Sequence, residues 1–247
     1  MTDYTTAFYK KQSDGSARSA ARIVPVVLDL ATGIQSVVDV GCGVGTFLAE
    51  FQEHGVGFVQ GVDGDYVNRA MLRIAEDRFV ARDLTERLSL DRRFDLAISL
   101  EVAEHLPGTR ARSFVEDLSR LSDLILFSAA IPGQGGTHHV NEQWQEYWAN
   151  QFKELGYQAI DAIRSRIWNI EDIEPWYRQN IILYANPAAL QRNPRLLSVR
   201  APSLPSLCVV HPGTWMTQPG PRELLRTVGE SIPLYFRKAG ERFRGAQ

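Results

Sequence analysis

Residues 36–45 read Ser36-Val37-Val38-Asp39-Val40-Gly41-Cys42-Gly43-Val44-Gly45, and this run decides the fold. Val37 to Val40 is an apolar β-branched segment suited to a buried parallel strand, and Phe47, Leu48 and Phe51 follow at helical spacing. The order is strand, glycine turn, helix. Glycines let the backbone turn sharply and approach a ligand closely, while the helix N-terminus offers unpaired N–H groups. A nucleotide-like ligand is expected there. The dinucleotide fingerprint G-x-G-x-x-G would need glycine at position 46, where Thr46 stands, which argues against NAD.

Three acids follow in order. Asp39 precedes the glycines at 41, 43 and 45; Asp63 ends the next expected strand, about 20 residues after the turn, the separation at which a carboxylate meets ribose hydroxyls in Rossmann-like folds. Asp83, with Leu84 beside it, lies just past the third expected strand. Each alone could be a turn residue, since Asp is common in turns; their spacing together points to a ligand.

A second passage, Phe94 to Pro107, reads F-D-L-A-I-S-L-E-V-A-E-H-L-P. A buried strand ends there, and a helical turn after it would put Glu101, Glu104 and His105 on one face. Two carboxylates and an imidazole converging on one point would repel or shift pKa unless a cation sat between them. The loop after the next strand carries Gly135-Gly136-Thr137-His138-His139-Val140-Asn141-Glu142, and adjacent strands would bring the two loops together. The plainer reading is that the acids cap N–H groups and complement a helix dipole.

These motifs resemble those of class I S-adenosylmethionine (SAM)-dependent methyltransferases. The resemblance implies a Rossmann-like α/β fold with a mostly parallel seven-stranded sheet and a C-terminal antiparallel hairpin. It places SAM on Asp39, Gly41, Gly43, Gly45, Asp63, Asp83, Leu84 and Leu100, with Asp63 on the ribose and Asp83 facing the adenine amine. The E-x-x-E-H arrangement is similar to that of the O-methyltransferases of small-RNA 3′ ends and of the ubiquinone pathway. It implies a divalent metal, Mg2+ or Mn2+, on Glu101, Glu104, His105 and His139. His139, with Glu142 three residues on, matches the H-x-x-E register, leaving His138 as base or substrate contact; the two histidines could exchange roles. His138, His139 and Glu104 are the expected catalytic residues, because imidazole titrates near the working pH and a Lewis acid stabilises a developing alkoxide.

G-S-x-x-S-A near the start and H-H-V-N-E-Q-W-x-E-Y-W later also resemble bacterial methyltransferases of polysaccharide and glycosylated natural-product pathways, including a mannoside-methylating type. The implied reaction is O-methylation of a sugar or other diol-bearing small molecule. A catechol, an RNA 3′ end, or metal-independent C- or N-methylation are the alternatives. RNA is disfavoured because no basic face is evident.

Composition agrees. The 247 residues are 44% hydrophobic and 23% charged, with a net charge of -2, so nothing pulls the whole chain towards nucleic acid or anionic membrane. Cys42 and Cys208 make no disulfide framework, and no long apolar stretch appears, so a cytoplasmic protein is expected. Residues 1–185 are expected to form the methyltransferase domain behind a leading arm (1–16) and a helix (17–31). Residues 186–247 are expected to form an extension serving as dimer contact or lid, with short helices over 222–244. Strands are expected over 36–40, 57–63, 78–81, 94–100, 124–129, 159–166 and 180–185, with helix-sized connections between the first five. A helix over 141–155 carries Trp144, Tyr147, Trp148, Phe152 and Leu155, an aromatic stripe expected to face the core, with Trp144 near enough to the histidines to meet a sugar.

Overall fold

The computed structural model describes residues 6–197 and 207–215, with side chains in the first helix described from Gly15 onward. The chain divides into two compact units, Met1–His211 and Pro212–Gln247, and the described part of the second is a short helix, Pro212–Trp215. The helices expected over 222–244, and the dimer contact expected of that tail, lie outside the described residues.

The first unit is built on a seven-stranded sheet. Its strands are β1 (Ser36–Val40), β2 (Phe58–Asp63), β3 (Phe79–Ala81), β4 (Leu96–Leu100), β5 (Leu124–Ser128), β6 (Gln158–Ile160) and β7 (Ile182–Ala185). They lie in the order β3-β2-β1-β4-β5-β7-β6. The first five are parallel, and β7 runs antiparallel to both β5 and β6. This is the sheet expected from the sequence. Strand order reverses between β1 and β4, and in open α/β sheets the crevice beyond the strand ends at such a point is where ligands bind.

The buried strands send alternate residues to opposite faces, as a period of two requires. Val37, Ile98, Leu126 and Leu183 join one core with α1 (Thr6–Leu30) and α2 (Thr46–Glu53). Val38, Ala97, Phe127 and Tyr184 join the other, with α3 (Ala111–Leu121) and α4 (Gln145–Lys153). The aromatic stripe mostly does what its spacing suggests: Trp148 and Phe152 are fully buried, and Phe152 stacks on Tyr184 at 4.0 Å between ring centroids. Trp144, just before α4, departs from it and is 41% exposed.

Four local expectations are corrected. The arm over residues 6–16 is helical, continuous with α1. Gly15 lies so close to Glu174 that a Cβ would sit 2.2 Å from its Oε1, and Ser19 Oγ donates to the Gly15 carbonyl and accepts the Glu174 N–H. That docking overrides a polar composition. The links β2–β3 and β3–β4 hold no α-helix; the first has two single 3₁₀ turns, Arg69–Met71 and Glu76–Arg78. The strand expected over 159–166 stops at Ile160, because Arg164 is drawn inward to Asp161 and to the carbonyls of Gln179 and Leu207, starting the helical turn α5 (Arg164–Ile167). The segment after Glu101 makes one 3₁₀ turn, Ala103–His105, in place of a helix.

Candidate active site

The glycine turn leaves β1 and enters α2. Gly41 N–H donates to the Val62 carbonyl at 2.7 Å, binding the turn to the end of β2. Gly41 has φ of 89°, and a Cβ there would meet Val102 Cγ2 at 2.3 Å. Only glycine fits both the conformation and the space.

Asp63 organises the turn from the neighbouring strand. Its Oδ2 accepts the Gly43 N–H at 2.7 Å, and its Oδ1 accepts the Gly64 N–H at 2.6 Å and the Tyr66 hydroxyl at 2.5 Å. Asp39 lies beside it, 5% exposed. Burial first, and then the charge of Asp63, push the Asp39 carboxyl well above the usual carboxylate range. Two buried acids at a tight glycine turn suit a ligand carrying hydroxyls and positive charge. Burial likewise pushes up the Cys42 thiol, which makes it a filler of the turn and a poor nucleophile. Asp83 is exposed and folds into a turn, its Oδ1 accepting both the N–H and the hydroxyl of Thr85, while Leu84 and Leu100 are buried. Arg110 supports this edge from below by donating to the carbonyls of Leu84 and Glu86 and pairing with Asp117.

The second half of the site is built where β4 and β5 end side by side. The chain turns off β4 at Glu101 with φ of 56°, its N–H directed at Ser128. The 3₁₀ turn then presents Glu104 and His105. The β5 loop meets it in register: the N–H groups of Val140 and Asn141 both donate to the Glu104 carbonyl, at 2.8 and 3.0 Å. One ligand atom each from Glu104, His105 and His139 lies within 4.8 Å of the others. The two imidazoles meet edge to face at 4.8 Å.

Glu104 is a buried acid of a different kind from Asp63. Its side chain is 0% exposed, and neither carboxylate oxygen has a hydrogen-bond partner. Burial, and after it the charge of Glu101, push its carboxyl well above the usual range, offset in part by the nearby N–H groups of Glu104 itself and Ala130. A buried polar group left unsatisfied costs about 1–3 kcal/mol. Such a group calls for an explanation, and strain, a catalytic role or a bound ion are the usual ones. A carboxylate and two imidazoles are a donor set that suits Mn2+ and other transition ions better than Mg2+. Burial, and then His139, hold the His105 imidazole below the usual histidine range, and the charge of Asp63 also reaches that ring.

Glu101 stands outside the three-residue cluster. The left-handed turn aims its carboxylate at Asn180 Nδ2 (3.1 Å) and Gln134 Nε2 (2.9 Å). Gln134 and Asn180 bond each other at 2.9 Å, and Gln179, fully buried, joins both. Burial raises the Glu101 carboxyl, and the Gln134, Asn180 and Ser128 hydrogen bonds pull it back. His138 has φ of 62° and is exposed on the loop tip. His139 turns inward, its Nδ1 2.9 Å from Glu142 Oε1. The carboxamides of Gln134 and Asn180, and of Gln179 behind them, carry no spacing signal, because they gather around Glu101 from distant parts of the chain.

A family described as a methyltransferase domain matches residues 12–180. No curated protein matches the chain by sequence. Among solved structures, the sugar N-methyltransferase KedS8 from Streptoalloteichus is similar at a TM-score of 0.57 and 15% identity, over 75% of this chain and 94% of that one. DesVI of Streptomyces venezuelae is similar at 0.55 and 14% identity, over 73% of this chain and 95% of that one. An O-methyltransferase family protein of Burkholderia thailandensis is similar at 0.52 and 13% identity, over 71% of this chain and 56% of that one.

Proposed function

The chain belongs to the methyltransferase-domain family and is a SAM-dependent methyltransferase; on that premise we propose that its acceptor is a hydroxyl of a sugar or similar diol-bearing small molecule, with a divalent cation held by Glu104, His105 and His139. The observation that carries this reading is the buried, unpartnered Glu104 carboxylate facing two imidazoles. When bound, a divalent cation supplies Lewis acidity that makes a hydroxyl a better nucleophile and fixes its direction.

The chain's own residues supply the rest. Asp63, the glycine turn and Asp39 hold the nucleoside and sulfonium end of SAM, while Asp83 and Leu84 flank the adenine edge. The strand-order reversal between β1 and β4 supports a pocket beside the Glu104 turn, where positioning does most of the catalytic work. With His139 on the cation, His138 takes the acceptor's proton. Trp144, 41% exposed a few residues beyond His139, offers a flat apolar face to a sugar ring. Methyl transfer from a sulfonium to an alkoxide neutralises opposite charges, which a water-poor setting lined by buried groups favours. The chain beyond residue 185 is proposed to extend the catalytic domain; up to His211 it belongs to the first compact unit, with Ala189 and Leu196 in the core. No helix among the described residues is long and apolar enough to cross a membrane.

The test is a panel of diol-bearing glycosides, catechols and amino sugars offered with SAM, after thorough chelation and again with Mn2+ or Mg2+ restored, read by mass. The expected result is methyl addition to a glycoside oxygen that depends on the restored ion. Full turnover in chelator, or methylation confined to amines, overturns the proposal.

A further inference from the structure

Glu142 is the acceptor for three converging donors. Its Oε2 lies 2.8 Å from the Gly133 N–H, and its Oε1 lies 3.1 Å from the Gly135 N–H and 2.9 Å from His139 Nδ1. Two backbone N–H groups already point at this carboxylate, so it is an acceptor, and the hydrogen in the third contact belongs to the imidazole. Neutral imidazole carries one ring hydrogen. If Nδ1 holds it, Nε2 presents a lone pair.

The ring has little freedom to do otherwise. His139 and Glu142 side chains are 12% and 21% exposed. Gly136 packs under the ring so tightly that a Cβ would lie 2.2 Å from Nε2. The next residues are tied to the opposite loop, with the Val140 and Asn141 N–H groups on the Glu104 carbonyl and Asn141 Nδ2 on that of Ala103. One carboxylate therefore shapes the glycine-rich loop and orients the imidazole that this loop carries to Glu104 and His105.

We propose that Glu142 is a positioning residue: by accepting from His139 Nδ1 while gathering the Gly133 and Gly135 N–H groups, it sets the His139 tautomer and turns Nε2 towards the cation held with Glu104 and His105. This rests on the cation site proposed above and deepens it. A carboxylate behind a ligating histidine fixes ring orientation and raises ligand basicity, and its loss typically weakens metal binding by about 10- to 100-fold. Glutamine cannot substitute. If its carbonyl accepts from Nδ1, its NH2 group faces a backbone N–H that has lost its acceptor; if the amide flips, it opposes His139.

The experiment uses the full chain with histidines labelled in 15N, of which there are five. Long-range proton–nitrogen correlation spectra give each ring's tautomer, and His139→Ala assigns the signal. Mn2+ affinity is measured in parallel from the electron paramagnetic resonance of the free ion, and SAM affinity by calorimetry as a folding control. The expected wild-type result is a His139 ring protonated at Nδ1. In Glu142→Gln that signal moves to a mixed or Nε2-protonated form, Mn2+ affinity falls about 10- to 100-fold, and SAM affinity stays within about twofold. Glu142→Ala should behave alike, which guards against an effect peculiar to the amide.

A wild-type His139 protonated at Nε2, or a Glu142→Gln protein with unchanged tautomer and unchanged Mn2+ affinity, overturns the inference. Absence of Mn2+ uptake by the wild type, with the Nδ1-protonated ring in place and lost in Glu142→Gln, overturns the cation site. It upholds Glu142 as the group that orients His139.

Discussion

Replacing Glu104 by Gln should stabilise the metal-free protein and abolish its response to metal. The Glu104 carboxyl is fully buried with both oxygens unpartnered, and burial with the charge of Glu101 raises its pKa well above normal. An acid whose folded pKa is raised carries no penalty below its unfolded value, about 4.3. The penalty grows as pH rises from there through the folded value. At pH 4 variant and wild type should therefore melt together, and at pH 7 the variant should melt higher. Glutamine removes the ionisable group but keeps unsatisfied polar atoms, so the gain sits near the low end of the cost of one such group, about 1–3 kcal/mol. For a chain of this size each kcal/mol moves the melting temperature by about 2–4 °C. Mn2+ at about 100 times its dissociation constant should then add about 2.7 kcal/mol to the wild type and nothing to the variant, inverting their order. Differential scanning calorimetry at both pH values, with chelator and with Mn2+, measures all of this. A variant that melts below the wild type at pH 7 in chelator, or that gains as much from Mn2+, would refute the reasoning.

Asp63→Ala removes the acceptor of the Gly43 and Gly64 N–H groups and the Tyr66 hydroxyl. With charge-assisted hydrogen bonds worth about 1.5–3 kcal/mol, calorimetry should show SAM affinity reduced at least about tenfold with Mn2+ affinity little changed; equal loss of both would mean that the two halves of the site are wrongly divided. Gly41→Ala sets a methyl group 2.3 Å from Val102 Cγ2 in a left-handed conformation. The conformation costs about 1–2 kcal/mol and the clash about 1–3 kcal/mol, so a fall of several degrees in melting temperature and loss of SAM-induced stabilisation are expected in a thermal-shift assay.

Much of this was legible along the chain because its causes are local. The run from Ser36 to Gly45 could only be a strand, a glycine turn and a helix start, since apolar alternation and positive-φ glycines act within a few residues. The buried strands followed from the same local patterns, and the antiparallel closing pair from the resemblance to class I methyltransferases. The pairing of the β4 and β5 loops is readable too, because adjacent parallel strands bring their ends together; of the four partners the sequence nominates, Glu104, His105 and His139 converge and Glu101 does not.

The rest belongs to contacts between distant residues. A helix after Glu101 was the reasonable local expectation, yet a left-handed turn and a single 3₁₀ turn replaced it. As a result Glu101 faces Asn180 and Gln134 while Glu104 faces the histidines. The three acceptor contacts of Glu142 likewise exist only once the glycine-rich loop is closed. The sequence by itself determined the strands, the cofactor turn and the residue types of the site, because backbone sterics and hydrophobic period are properties of neighbours in the chain. Tertiary structure alone decided which acid was left buried without a partner and which imidazoles were brought beside it, because desolvation and hydrogen-bond satisfaction depend on whatever the fold packs alongside.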